Sequence, residues 1–509
     1  MTPSRAATLA AACLLAPAPG LAQMAIPADP AQTCTADIAP WFPDGIGPAG
    51  TVTPPPSLTF TDDNGGDPSA CAFYNWGAQA FLWLLSPAED GRVLDSSAIF
   101  NVLPDEGGAR QFQRSTPGTR LTVALRNEKD DVGEIGQAGG GGVLLSQDGA
   151  LVHYGVHTND LYAYFLTGQK AGAIDPTPTT YAHDADDMAA LNAYMASVSP
   201  PFVSAAPETL VMELKTSWVD AETVADSSAY ITVPARVPTY ARSGDNTKWT
   251  PHGHRDVTLA LTGLHIAGTV QNHPEFVWAT FEHISNAPDV TYYYTDTSGS
   301  IVPFSYDASG DFVFLATGAD PAKANVECMK AQGGGATGTI IADTTSGGSL
   351  VCAGGIVPSD TVRARPWGSS PLGPPDIGTT VNGTDVTKPM VDQIVMNNTA
   401  LLSLNASVRG QLAAGDPRAN YVQTGAIWTA PATRGSNAPI PDGNAPDPSV
   451  LRGSLGLYNA TMETYSFDTA PHCFSCHALF NGPDNMFGTA SAPEQLSHIY
   501  YAIDPLPAP

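Results

Sequence analysis

The sequence predicts an α+β fold, with a β-rich, sandwich-like core followed by a C-terminal helical cap. Three observations predict it. Alternating runs at Leu210 to Val219, Val257 to Val270 and Phe276 to His283 put apolar side chains on one face of successive strands. From Val386 to Leu412 the apolar residues return at helical spacing, with Pro389 in the first turn, so this stretch reads as a long helix. Near the end of the chain, Cys473-Phe474-Ser475-Cys476-His477 spells C-x-x-C-H, a run whose spacing dictates a chemistry.

Taken in order, Arg5 precedes an apolar run from Ala6 to Leu15 and small residues ending at Gly20-Leu21-Ala22. Residues 1–22 therefore read as a secretory signal peptide. Cys13 raises a lipoprotein alternative, but cleavage there would cut the hydrophobic run in its middle. No later stretch approaches the roughly 18 apolar residues that would span a bilayer, so no transmembrane segment is expected. The sequence then divides into an N-terminal mixed region (23–205), a β-rich region (206–380) and a helical region (381–509), expected to form one composite body.

The mature start up to Pro68 is rich in Pro, Asp and Gly and reads as loop. Cys71 to Leu85 is aromatic-rich at near-helical spacing, which predicts a buried helix. Gly139 to Gly142 lacks the Lys-Ser/Thr ending of a phosphate loop and reads as a flexible connection. Val143 to Ser146 and Ala150 to Leu166 flank Asp148-Gly149 as a hairpin, with His153 and His157 expected on its solvated face. Asp186 to Val198 opens on acids and ends before two prolines, as a short helix does. Val450 to Tyr465 and Glu494 to Ala502 read as further helices.

The formal charge of −27, with only 14 % charged residues, disfavours nucleic acid or an anionic membrane as partner; it reads first as a surface that keeps an exported protein soluble, and otherwise fits a basic protein or cationic ligand. Without Cys13 six cysteines remain. Two belong to the C-x-x-C-H run, leaving Cys34, Cys71, Cys328 and Cys352. An even remainder in an oxidising compartment predicts two disulfides, most simply Cys34 with Cys71 and Cys328 with Cys352.

On one helical turn the two cysteines and the histidine share a face, so two thiols can add to haem vinyl groups while the imidazole takes the iron. This is the pattern of one covalent haem c held by Cys473, Cys476 and His477. Zinc or a redox dithiol are the rival readings, but zinc needs further ligands and no second C-x-x-C occurs; His472 completes such a set only against local geometry. Covalent haem and an export signal together point to the periplasm. Met486, in a Pro-Asp-Asn loop, is the leading candidate for the sixth iron ligand, and His498 is the runner-up. Only 33 residues follow Cys476, too few to wrap a haem alone, so earlier elements are expected to supply much of the pocket.

The strings Glu213-Leu-Lys-Thr-Ser-Trp218, Gly263-Leu-His-Ile266, Phe276-Val-Trp-Ala-Thr-Phe-Glu-His283 and Asn459-Ala-Thr-Met-Glu-Thr-Tyr465 resemble an exported bacterial group with the generic name cytochrome c family protein. The likeness covers roughly residues 70–505 and implies haem and export, with no particular reaction. Three functions compete: electron transfer to a redox partner protein, a peroxidase-like haem oxidoreductase with an open axial site, and a β-rich binding module with a structural or redox haem. Catalytic candidates are His265 and His283, both flanked by apolar residues of their own strand faces, with Glu213 and Lys215 as possible partners. An even hairpin register brings the two histidines to one face; a shift by one residue separates them.

Overall fold

A computed structural model of the chain describes residues 26–47, 56–61, 71–88, 91–103, 109–116, 119–123, 142–175, 181–332, 338–342, 352, 354–429, 451–465, 472–477, 496–497, 499–500 and 502–507. The signal segment, the glycine run at 139–141, the loop at 431–449, Met486 and His498 lie outside the described residues. Among the described residues the architecture is α+β, organised by one large and mainly antiparallel sheet.

That sheet has twelve strands. In chain order they are β1 (Ile99–Val102), β2 (Phe112–Arg114), β3 (Leu121–Thr122), β4 (His153–Asn159), β5 (Met212–Asp220), β6 (Thr232–Arg242), β7 (Lys248–Val270), β8 (His273–His283), β9 (Met329–Gln332), β10 (Thr339–Ala342), β11 (Tyr421–Thr429) and β12 (Leu451–Gly453). Their main spatial order is β12-β11-β8-β7-β5-β4-β1-β2, so strands of all three sequence regions share one ladder. The 23-residue β7 also pairs with β6 and β10 along its first half, while β3 joins β6 in parallel. The expected stacking of two sheets is thus corrected to one extended sheet, whose two faces are covered by helices and irregular chain.

Helix α1 (Cys71–Leu84) is buried from Phe73 to Leu84 and lies against one face. Phe73 stacks on Trp428 at 4.3 Å between ring centroids and Phe81 on Phe281 at 4.4 Å. Each such ring removed from water contributes about 1.5–3 kcal/mol. The long helix predicted behind Pro389 is α4 (Lys388–Gln411), which closes the same face with Ala400, Leu401 and Leu404. On the other face lie α2 (Asp160–Lys170), α3 (Ala185–Ser197) and the five-residue helix α5 (Cys473–His477). Two disulfides, Cys34 with Cys71 and Cys328 with Cys352, pin the N-terminal chain to α1 and close the β9–β10 excursion. No helix among the described residues is long and apolar enough to cross a membrane.

Three local expectations are corrected. The strand expected to run on to Leu166 stops at Asn159, whose side chain accepts the Tyr162 amide at 3.0 Å and starts α2. This N-cap costs the strand its continuation because an Asx side chain satisfies an orphan helix amide. His153 and His157, expected in solvent, are 5 % and 2 % exposed, because β4 sits between β1 and β5 with both faces covered. Residues 451–465 hold only the short β12 and turns, and the described residues of 494–502 likewise form turns. In the first of these, side chains capture the amides a helix would need: Glu463 takes Asn459 N, Glu282 takes Ala460 N and Asn459 takes Thr461 N.

Candidate functional site

Strand register builds the site. In β5, successive residues alternate between faces, so Met212, Leu214 and Trp218 meet the helical layer while Glu213, Lys215 and Ser217 point the other way. Lys215 pairs with His265 in β7, and His265 with Thr280 in β8, which in turn pairs with Gly425 in β11. One row of side chains therefore runs Lys215, His265, Thr280 across three strands. Two residues along, about 7 Å away, a parallel row runs Glu213, Ala267, Trp278, Ile427.

The segment after β12 folds down onto the first row. Its Glu463 carboxylate accepts Lys215 Nζ at 3.0 Å, His265 Nε2 at 3.0 Å to each oxygen, and the Asn459 amide at 2.9 Å. Burial alone would raise this carboxyl's pKa; the charges of His265 and Lys215, with the hydrogen bonds, outweigh it and hold the group well below the ordinary range. The Lys215 side chain is only 3 % exposed, and its ammonium lies against that carboxylate. Asn459 and Thr461 anchor the segment further: Asn459 Nδ2 donates to Thr280 Oγ1 and Phe281 O, and Thr461 Oγ1 lies 2.7 Å from Ser217 Oγ. Gly263 permits the approach, since a Cβ there would sit 2.8 Å from Asn459 Nδ2, Ser217 Oγ and Thr461 Oγ1.

The second row seats α5. Trp278 lies with its ring centroid 4.5 Å from that of His477 and 6.0 Å from that of Phe474. Phe474 and His477 are buried, and Cys473 is half-buried. Four residues apart on a helix, Cys473 and His477 share a face. Ile427, Leu496 and Ile499 complete an apolar surround. Glu213, itself buried, accepts Ser497 Oγ at 2.7 Å and so ties the C-terminal turn to the same row. Beside the motif, burial and the Arg365 charge push His472 down to about 4, leaving its imidazole neutral at neutral pH.

Of the predicted candidates, His265, Lys215 and Glu213 fall on this face, within one or two rows of α5. His283 does not. The register is His265 opposite Thr280, an odd offset, so His283 turns to the other side. There Nδ1 meets Ser285 Oγ at 2.7 Å and Nε2 meets Ala229 O at 3.1 Å, while the ring stacks on Tyr230 at 3.7 Å. Burial pushes its pKa down to about 3, so His283 is a satisfied, neutral core residue. The side chain of Cys476, with Met486 and His498, lies outside the described residues.

Sequence reasoning missed Glu463 and Trp278. Both sit inside strings that carried the family resemblance, which is the signal that marked them; spacing alone does not, because Glu463 meets Lys215 across 248 residues. The four strings quoted for that resemblance converge here, at one place on one face. No family model, curated protein or solved structure matches the chain.

Proposed function

We propose that this is an exported, periplasmic single-haem c-type protein that carries electrons, belonging with the bacterial cytochrome c family proteins its motif strings resemble. The observation that carries the reading is α5: a C-x-x-C-H turn whose imidazole is buried against Trp278, in an apolar surround, rather than exposed as a disordered tail would leave it. The donor set fits the group, since two thiols and an imidazole are the covalent and axial ligands of haem c, and Cys473 is in neither disulfide. When bound, the haem supplies one-electron chemistry. Cys473 and Cys476 would hold it and His477 would take the iron, with Met486 or His498 as the sixth ligand. Trp278 fixes the His477 ring, and the sheet behind it gives the site a rigid floor. A basic redox partner fits the −27 charge of the chain.

One observation favours a second reading, a haem-dependent oxidoreductase with an open axial site. The Lys215, His265 and Glu463 cluster lies one row from Trp278, and electron carriers have no need of three ionisable groups held together there. In that reading Glu463 orients the ring through Nε2, and His265 moves a proton at Nδ1 to or from substrate.

Expression with periplasmic cytochrome maturation tests the main proposal. Haem that stays with the protein through acidified organic extraction, and is lost or weakened in Cys473→Ser and Cys476→Ser, supports it; protein that releases all its haem, or never contains any, overturns it. Added cyanide or peroxide that changes the spectrum selects the oxidoreductase.

A further inference from the structure

On the sheet face away from α5, between β1, β3, β4 and the start of β6, lies a cavity of 200 Å³. Its wall includes Asp95, Asn101, Ser115, Thr119, His157 and Trp218. A relay of hydrogen bonds orients that wall. Trp218 Nε1 donates to Thr216 Oγ1, which lies 3.0 Å from His157 Nε2, and His157 Nδ1 lies 2.8 Å from Asn101 Oδ1. Burial lowers the His157 pKa to about 4, so the ring is neutral and has one donor and one acceptor. Thr216 Oγ1 donates to Gly155 O at 3.2 Å, so it accepts from His157 Nε2–H as it does from Trp218, and Nδ1 takes one end of the Asn101 side-chain amide. The other end of that amide faces the cavity.

Asn101 is 5 % exposed and Ser115 3 %, and the free end of the Asn101 amide and Ser115 Oγ open onto the cavity with no protein partner among the described residues. What occupies the cavity, water or a ligand, completes their bonding. Asp95 gives one carboxylate oxygen to Arg92 at 3.1 Å and keeps the other as an acceptor. Trp218, its only polar atom committed to Thr216, offers carbon alone, as do Leu94, Leu121 and Val233. The wall thus presents an amide group, a hydroxyl that both donates and accepts, a carboxylate acceptor and an apolar side.

We infer that this cavity binds a small uncharged polyol, up to the size of a pentose. Neighbouring donors and acceptors on one side with carbon opposite match the hydroxyl and C–H faces of such a molecule. An anion is repelled by Asp95, and a cation competes with Arg92. The volume of 200 Å³ holds roughly seven waters at about 30 Å³ each, which a pentose can replace.

Calorimetric titration of the full exported chain with glycerol, erythritol and xylose tests this, with succinate and putrescine as charged controls. The expected result is saturable binding of at least one polyol, weakened about tenfold or more by Ser115→Ala and by Asp95→Asn. Thr119→Val, at the partly exposed rim, keeps the test open if a buried variant does not fold. Absence of saturable heat with every polyol up to about 100 mM overturns the inference, as does equal binding by folded variants or preferred binding of either charged control.

Discussion

Strands β5, β7 and β8 show two faces built by opposite means. On the helical side, Leu214, Ile266, Val277 and Phe281 meet α1 and α4 in a continuous apolar layer closed by stacked rings. On the other side the same strands present Lys215, His265, Thr280 and Glu282, and a loop 178 or more residues later in sequence satisfies them one by one. The first face is held by area, which is forgiving of detail. The second is held by matched donors and acceptors, each of which is costly to leave alone.

The largest expected effect comes from breaking the matched face. Glu463→Ala removes the carboxylate against the buried Lys215 ammonium and should cost about 3–5 kcal/mol in urea unfolding. A Lys215→Met and Glu463→Leu pair should recover much of it, since replacing both partners removes the buried charges together. On the apolar face Phe281→Ala should cost a similar ~3–5 kcal/mol, but no second substitution among charged residues should rescue it. Rescue on one face alone is what separates the two.

Acid should distinguish them next. The Glu463 pKa is depressed in the folded chain, so its contribution is present above the ordinary carboxylate pKa and is lost as pH falls below about 4.5 toward the folded value. His283 contributes with the same sign at higher pH. Its pKa falls from 6.5 to about 3, so the unfolded chain binds the proton first and stability drops on acidification from pH 6.5. By pH 4 that amounts to about 3 kcal/mol. His283→Gln should flatten the slope between pH 6.5 and 4, while Glu463→Gln should flatten it only below that window; unchanged slopes in both variants contradict the assignment.

Sequence made the apolar face legible because period-two alternation in 210–219, 257–270 and 276–283, and the helical spacing of 386–412, each reflect a single buried side. It did not make legible what covers the polar face. Val450 to Tyr465 has helical spacing, but Glu463, Glu282 and Asn459 capture its amides instead. His265 and His283 looked equivalent because their positions depend on one unit of register, and a register is set by the turn and bulge near His273 rather than by composition. The C-x-x-C-H run was legible without any fold, since its chemistry is local.

A smaller effect tests the fit between the faces' coverings. Gly263→Ala forces a methyl against Asn459, Ser217 and Thr461 and should cost about 1–3 kcal/mol, with faster amide exchange across 459–465 and unchanged exchange in α1. Loss of protection in α1 instead would mean that the two faces are not independent.

The central claim is that the polar face seats a covalent haem at α5. Intact mass spectrometry of the chain recovered from a maturation-competent periplasm, followed by sequencing of the peptide containing 472–477, tests it most directly. The account predicts a mass raised by a single haem, with the addition located on Cys473 and Cys476. An unmodified peptide, or one carrying a Cys473–Cys476 disulfide, would contradict it.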